Sequence, residues 1–230
     1  MRTLSKEQRN LLAKVVLDAR EAAEVGAQKA LHSLGVDEAS APIYLTSEQR
    51  ELRRKLRAQA RQLGDYIDSE TGRTNINHLQ EKIAYDYWHR MLFARFLAEN
   101  NLLISPEHQV SVTLEECNDL AQELGMSDGW QVAAHFAAEM LPQIFRVDDP
   151  AGQLVFAPED RAILQHYVIS ISKEIFLSDD ALGWVYQFWQ AKRKDEVNRS
   201  EDKIGPDELA PVTQLFTEDY MVLFLLHNTL

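Results

Sequence analysis

The run His78-Leu-Gln-Glu-Lys-Ile-Ala-Tyr-Asp-Tyr-Trp-His-Arg-Met-Leu-Phe-Ala-Arg-Phe-Leu-Ala-Glu-Asn100 decides the fold class. Leu79, Ile83, Tyr85, Tyr87, Trp88, Met91, Leu92, Phe93, Phe96 and Leu97 recur at helical spacing and cover more than one face. That pattern predicts a helix buried on several sides, not a surface helix with one apolar stripe. Arg90 and Arg95 inside so apolar a run need partners, and Asp86 and Glu99 stand at neighbouring helical positions. His78 and His89 read as structural residues, because no second His or carboxylate completes a metal-ligand spacing here.

Toward the N-terminus, Asp68 to Asn77 is rich in Ser, Thr, Gly and Asn and predicts a loop. Before it, Thr46 with Gln49 forms a capping-box pattern that opens a helix running to about Asp65. On that helix Arg50, Arg53, Arg54, Arg57 and Arg61 lie along one side, with Lys55 close by. Guanidinium groups at helical spacing can follow a nucleic-acid backbone, so the stripe is the candidate DNA-binding set. The alternative is a solvated face paired with local acids such as Glu48 and Glu51; alanine at Arg53, Arg54 and Arg57 is expected to leave folding intact and weaken DNA binding, and unchanged affinity would mark the stripe as solvated. Val36 to Tyr44 reads as a connector around Pro42, and Ser5 with Gln8 opens a long amphipathic first helix that ends at Gly35.

Toward the C-terminus, Thr113 with Glu116 opens a helix that ends near Gly125 and carries Cys117 as an idle thiol. Trp130 to Phe145 continues as helix, with Pro142 bending or ending it. Ile144 to Val147 and Gln153 to Phe156 flank Asp-Asp-Pro-Ala-Gly, a predicted β-hairpin over about 144–156. Helices follow over Pro158 to Phe176 and Asp180 to about Val197, the second capped by Ser178 or Asp179. Thr217 caps a last helix whose Tyr220 to Leu226 are apolar around the whole circumference. The fold class expected is mainly α, a multi-helix bundle with at most that one small hairpin.

The chain has 230 residues, enough for one large or two small domains, with 45% hydrophobic and 26% charged residues. A net charge of -12 limits any nucleic-acid contact to a local face. One cysteine gives no disulfide framework and no metal motif, and no apolar signal core or run of roughly 18 apolar residues appears, so a cytoplasmic location without membrane insertion is expected. Asp195, Glu201 and Lys203 have the residue types of a metal-dependent nuclease, yet they straddle a helix end and a charged link where neighbouring strands are needed. No catalytic or metal residue is assigned.

Three blocks carry a family resemblance. Tyr87, Trp88, Arg90, Ala94, Arg95, Phe96 and Glu99 match an aromatic pair, Arg, Ala-x-Arg-Phe and an acid near the N-terminus of large adenine-specific DNA methyltransferases. Leu182-Gly-Trp-Val-Tyr-Gln-Phe-Trp with Lys194-Asp-Glu-Val resembles a second block of the same enzymes, and Thr213-Gln-Leu-Phe-Thr a third, in family order. The family comprises the PglX-like methylases of BREX and DISARM phage defence and related type II restriction-modification enzymes. The resemblance implies a helical domain over 1–200, with a sub-boundary near 101–112. It implies over 201–230 a linker and a lead-in helix to a methyltransferase domain that this sequence lacks.

It also implies S-adenosylmethionine in the intact enzyme, contacted by Thr213, Gln214, Phe216 and Thr217, although Glu218 departs from the Pro of many relatives. The Gly-rich turn and the Asn-Pro-Pro-Tyr-type loop of these enzymes are missing, so neither methyl transfer nor cofactor binding is expected of this fragment alone. The partners implied are DNA through the intact protein, its own methyltransferase domain and other defence-system subunits. The alternative is a helical adaptor without DNA or cofactor binding. As a lead-in helix, Tyr220 to Leu230 should fold back on the body, pair with another copy or be disordered, and an ordered helix standing free speaks against that role.

Overall fold

The computed structural model describes residues 3–146, 148–200, 213, 216–217 and 219–229. In chain order the described helices are α1 (Lys6–Ser33), α2 (Ser47–Gln62), α3 (Asn77–Glu99), α4 (Leu114–Glu123), α5 (Gly129–Met140) and α6 (Pro142–Phe145). A 3-10 turn (Pro150–Gln153) is followed by α7 (Pro158–Ser170), α8 (Lys173–Phe176), α9 (Ala181–Ser200) and α10 (Asp219–Thr229). The protein is mainly α, and among the described residues β-pairing is limited to two isolated bridges. Two compact units divide the chain, residues 19–168 and the described residues of 1–18 with 169–230.

The helix starts follow local side-chain chemistry. At Ser5, Thr46 and Thr113 the hydroxyl accepts the N–H three residues on, while Gln8, Gln49 and Glu116 reach back to the cap N–H. Each reciprocal pair satisfies two backbone donors that a helix start leaves orphaned. Helix α1 stops before Gly35, whose φ of +59° suits the turn and where a Cβ would stand 2.6 Å from Pro42 Cδ. Helix α3 has no side-chain cap of its own. Instead the buried carboxylate of Asp65, from the preceding loop, accepts the N–H groups of His78 and Leu79, both at 3.0 Å.

In the larger unit α3 is the buried centre that its composition predicts, with Trp88 fully enclosed. Its C-terminal half packs with α4 and α5 around Leu97, Leu103, Val132, Phe136 and Phe145. Each such side chain removed from water contributes about 1.5–3 kcal/mol before conformational entropy is set against it. Cys117 belongs to this core, and burial, with Glu116 adding, pushes its thiol up to about 11. It is inert at neutral pH.

The hairpin expected over 144–156 does not form. Pro142 opens the short helix α6, Arg146 ends it at φ 39°, and Pro150 starts the 3-10 turn, while Val147 lies outside the described residues. The Phe145 carbonyl, which a ladder would need, and the Gly152 carbonyl of the expected turn accept the Arg90 guanidinium at 2.9 and 3.3 Å. The isolated bridges lie elsewhere, Ile67 with Thr74 and Ile104 with Ser111, each closing a tight turn. The helix expected from Pro158 to Phe176 breaks at Ile171 and Ser172.

In the smaller unit Asp180 accepts the Leu4 N–H at 3.0 Å and the Trp184 indole N–H at 2.9 Å, and the Arg9 guanidinium lies 4.9 Å from the centre of the Trp184 ring. Helix α10 is formed, and Tyr220 through Leu226 are all exposed, from 37% at Leu223 to 66% at Phe224. Folding back on the body, one of the three outcomes expected for this stretch, would bury these side chains, and they are exposed.

Asp65→Ala leaves one buried and one part-buried donor at the α3 N-terminus without their acceptor and should destabilise the protein by about 1–3 kcal/mol. Asp65→Asn, which keeps one acceptor oxygen, should cost roughly half as much. Urea unfolding monitored by circular dichroism measures both.

Candidate functional site

The arginine stripe is only partly available to a partner. Arg53 is buried, and it donates from Nε to Gly35 O at 2.9 Å and from Nη2 to Glu38 O at 2.7 Å. Arg57 donates from Nη1 to Val36 O at 2.7 Å and also to Glu38 O. Arg50, although exposed, donates to Leu45 O and Ile43 O, both at 3.1 Å. These three arginines hold the connector between α1 and α2, so alanine at Arg53 or Arg57 would disturb the fold, contrary to the sequence expectation. Arg54 and Arg61 are exposed, and Lys55 pairs with Glu51 at 2.9 Å.

Of the residues assigned to the cofactor, Gln214 lies outside the described residues, and Thr213 and Thr217 are exposed. Phe216 is half-buried against α9. Its N–H donates to Gln187 Oε1 at 2.9 Å and its ring centre lies 5.4 Å from that of Trp184. The ring occupies the space above Gly183, where a Cβ would approach it to 2.1 Å. The Phe216 amide and ring face are thus engaged within the chain, and contact with a cofactor would require their release.

A constellation missed from the sequence gathers in the larger unit around Arg90, which lines three adjoining cavities of about 220, 210 and 360 Å³. The first is polar and bounded by Lys82, Asp86, His89, Arg146 and Asp149. Asp149 accepts from Gln59 Nε2 at 2.7 Å, from Lys82 Nζ at 2.8 Å and from the Ala151 N–H at 3.0 Å. Burial alone would raise its pKa, but the Lys82 ammonium and the two amide donors outweigh it and hold the carboxyl below its ordinary value. Burial likewise works against the Lys82 ammonium, and Asp149 and Asp86 overcome it to raise that pKa. His89, stacked between Tyr85 at 5.3 Å and Phe93 at 5.6 Å, is pushed down chiefly by burial and stays neutral at pH 7.

The second cavity is more apolar. Tyr87, Met91, Trp130, Leu154 and Val155 line it together with Asp128, Gln131, Arg161 and Gln165. The Tyr87 ring lies parallel to Phe156 with centres 4.0 Å apart, and its hydroxyl, pushed up to about 12 mainly by burial, remains protonated. A carboxylate acceptor, amide groups and guanidinium donors thus meet an aromatic wall in one cleft. The sequence signals were weak, because these residues come from four separate segments, and helical steps such as Tyr87 to Met91 and Arg161 to Gln165 relate them only within a segment. Among the described residues no cluster of metal-binding side chains occurs.

A helical protein with these features is related in sequence to adenine-specific methyltransferases. It is 25% identical over 224 residues to the adenine-specific methyltransferase PglX of Lacticaseibacillus casei (strain Zhang), a match covering 79% of this chain and 18% of the relative. It is 28% identical over 99 residues to the adenine-specific methyltransferase BrxX of Escherichia coli O9:H4 (strain HS), covering 41% of this chain and 8% of that protein. The chain thus spans less than a fifth of the length of either relative. No protein-family model matches it.

The Lys82–Asp149 pair sets a pH dependence. The depressed Asp149 contributes stability that is present above its ordinary pKa of 3.8 and is lost as pH falls through the lower folded value. The raised Lys82 contributes stability present below 10.5 and lost as pH rises through its folded value. The stability difference between the protein and Asp149→Asn should therefore be constant from about pH 5 to 10 and shrink below about pH 4. Urea midpoints across that range measure it.

Proposed function

We propose that this chain is the N-terminal helical accessory region of an S-adenosylmethionine-dependent, adenine-specific DNA methyltransferase of a phage-defence or restriction-modification system. The observation that carries the reading is the sequence match to PglX over 79% of the chain. Residues 1–200 form the helical body and 201–230 the link toward a catalytic domain. The body supports that domain. Thr213, Gln214, Phe216 and Thr217 contribute to its cofactor site once Phe216 leaves its seat on α9, and direct contact with a DNA backbone rests chiefly on the exposed Arg54 and Arg61.

One observation favours a second reading, a helical adaptor that docks on a protein partner. The apolar side chains of α10 stand in solvent on every side, the outcome that weighs against a lead-in helix. The gene's reading frame past the Leu230 codon separates the two. A Gly-rich strand turn followed by an Asn-Pro-Pro-Tyr motif supports the methyltransferase, and a stop codon at that point supports the adaptor.

Duplex DNA titrated at two salt concentrations tests the backbone contact. Binding should weaken with salt, and the double substitution Arg54→Glu/Arg61→Glu should lower the slope of log K against log salt by about 2 without shifting the thermal midpoint. Absence of salt-dependent binding would remove DNA contact from the role of this region.

A further inference from the structure

We propose that the cleft between α3, α5, α7 and the 152–155 segment is a seat for one purine ring with an exocyclic amino group, from a nucleoside or an unstacked base of a DNA strand. Size restricts the occupant first. About 210 Å³ holds roughly seven waters at ~30 Å³ each, which suits a single ring system and is too small for a folded peptide. Shape restricts it next. Tyr87 and Trp130 supply aromatic walls, and the Tyr87 ring is held flat by its parallel stack on Phe156. Aromatic walls favour a flat ligand with two apolar faces.

The polar group of Asp128, Arg161 and Gln165 in the lining specifies an edge that both donates and accepts. Asp128 Oδ1 is committed to the α5 N-terminus, where it accepts the Gln131 N–H at 2.9 Å. Its other oxygen is loosely held, 3.8 Å from Arg161 Nη1 and 3.5 Å from Gln165 Nε2. That oxygen is open to a better donor, as an amino group would be. Arg161 and Gln165, so weakly engaged, remain able to donate to ring acceptors, and Arg161 Nε is buried without an acceptor. An amino group beside ring nitrogens is the edge of adenine and, with a carbonyl, of guanine. Arg90 forms the fixed rim. Its guanidinium is anchored on Phe145 O and Gly152 O, and the approach to Gly152 is possible only because a Cβ there would lie 2.4 Å from Nη2.

The cleft shares no residue with the arginine stripe or with the residues assigned to the cofactor, so its test does not depend on the role proposed above. Adenosine, guanosine and purine riboside, which lacks the amino group, are titrated against the protein by calorimetry and tryptophan emission, with Trp130→Phe assigning the signal. Adenosine or guanosine should bind at about 0.1–1 mM, purine riboside at least about tenfold more weakly. Asp128→Asn keeps the helix cap and should lose about tenfold in affinity with an unchanged thermal midpoint. Gln165→Leu should lose less. Binding of a short oligo-dA strand tighter than adenosine would assign the base to DNA, and equal or weaker binding would assign it to a free nucleoside. No binding at ~10 mM, equal binding of purine riboside, unaltered affinity in a folded Asp128→Asn protein, or preference for tyrosine amide over every nucleoside would each overturn the proposal.

Discussion

Charged side chains that satisfy the backbone of irregular segments hold this protein together. A helical bundle can close its own hydrogen bonds within each helix, but the connectors between helices cannot, and buried peptide groups without partners are costly. Here arginines on α2 and α3 reach those carbonyls. Arg53 and Arg57 hold the 35–38 segment, Arg50 the loop at 43–45, Arg90 the turns at 145 and 152, and Arg95 the Val168 carbonyl at the end of the larger unit. Carboxylates do the complementary work for N–H groups, Asp65 at the start of α3 and Asp149 at the 3-10 turn. A guanidinium suits the carbonyl role because its fork of donors can bridge two oxygens at once and it stays charged when partly buried.

What was legible in the sequence follows from the range of the interaction. The three capping boxes act over three residues, and each was found where its Ser or Thr with its Gln or Glu predicted it. The buried centre at α3 was legible because ten apolar or aromatic positions at helical spacing leave no exposed face to assign. Arg95 also met its expected helical neighbour, Glu99, at 3.3 Å. Arg90 did not turn to Asp86, which Lys82 takes, but to carbonyls 55 and 62 positions away. No local pattern encodes that reach, and it is the reason the alternating residues around Asp149 form helical turns where a hairpin was expected.

The candidate sites were less legible for the same reason. Arginines at helical steps look alike in sequence whether they face solvent or a neighbouring loop, and only the position of the 35–45 connector separates Arg53 and Arg57 from Arg54 and Arg61. The cleft beside Tyr87 draws on α3, α5, the 152–155 segment and α7, so its composition becomes visible only once those segments are folded together.

The residues that carry the family resemblance acquire a structural explanation. Trp88 is enclosed, Arg90 and Arg95 tie distant carbonyls to α3, and Gly183 leaves room for the Phe216 ring, so the second and third blocks meet in one contact. Each of these roles belongs to the framework and none to bond-making chemistry. Likeness to long methyltransferases in such positions therefore bears on how this region folds, and a catalytic centre elsewhere in a longer protein is consistent with it. The same logic separates the cleft's polar groups from the framework. Arg90 is committed to two carbonyls and could be substituted only at a cost in stability, whereas Arg161 and Gln165 contact Asp128 at the outer limit of polar interaction. Loosely held polar groups on a rigid aromatic wall contribute little to folding, and a ligand that completes their bonds would gain what the fold leaves unused.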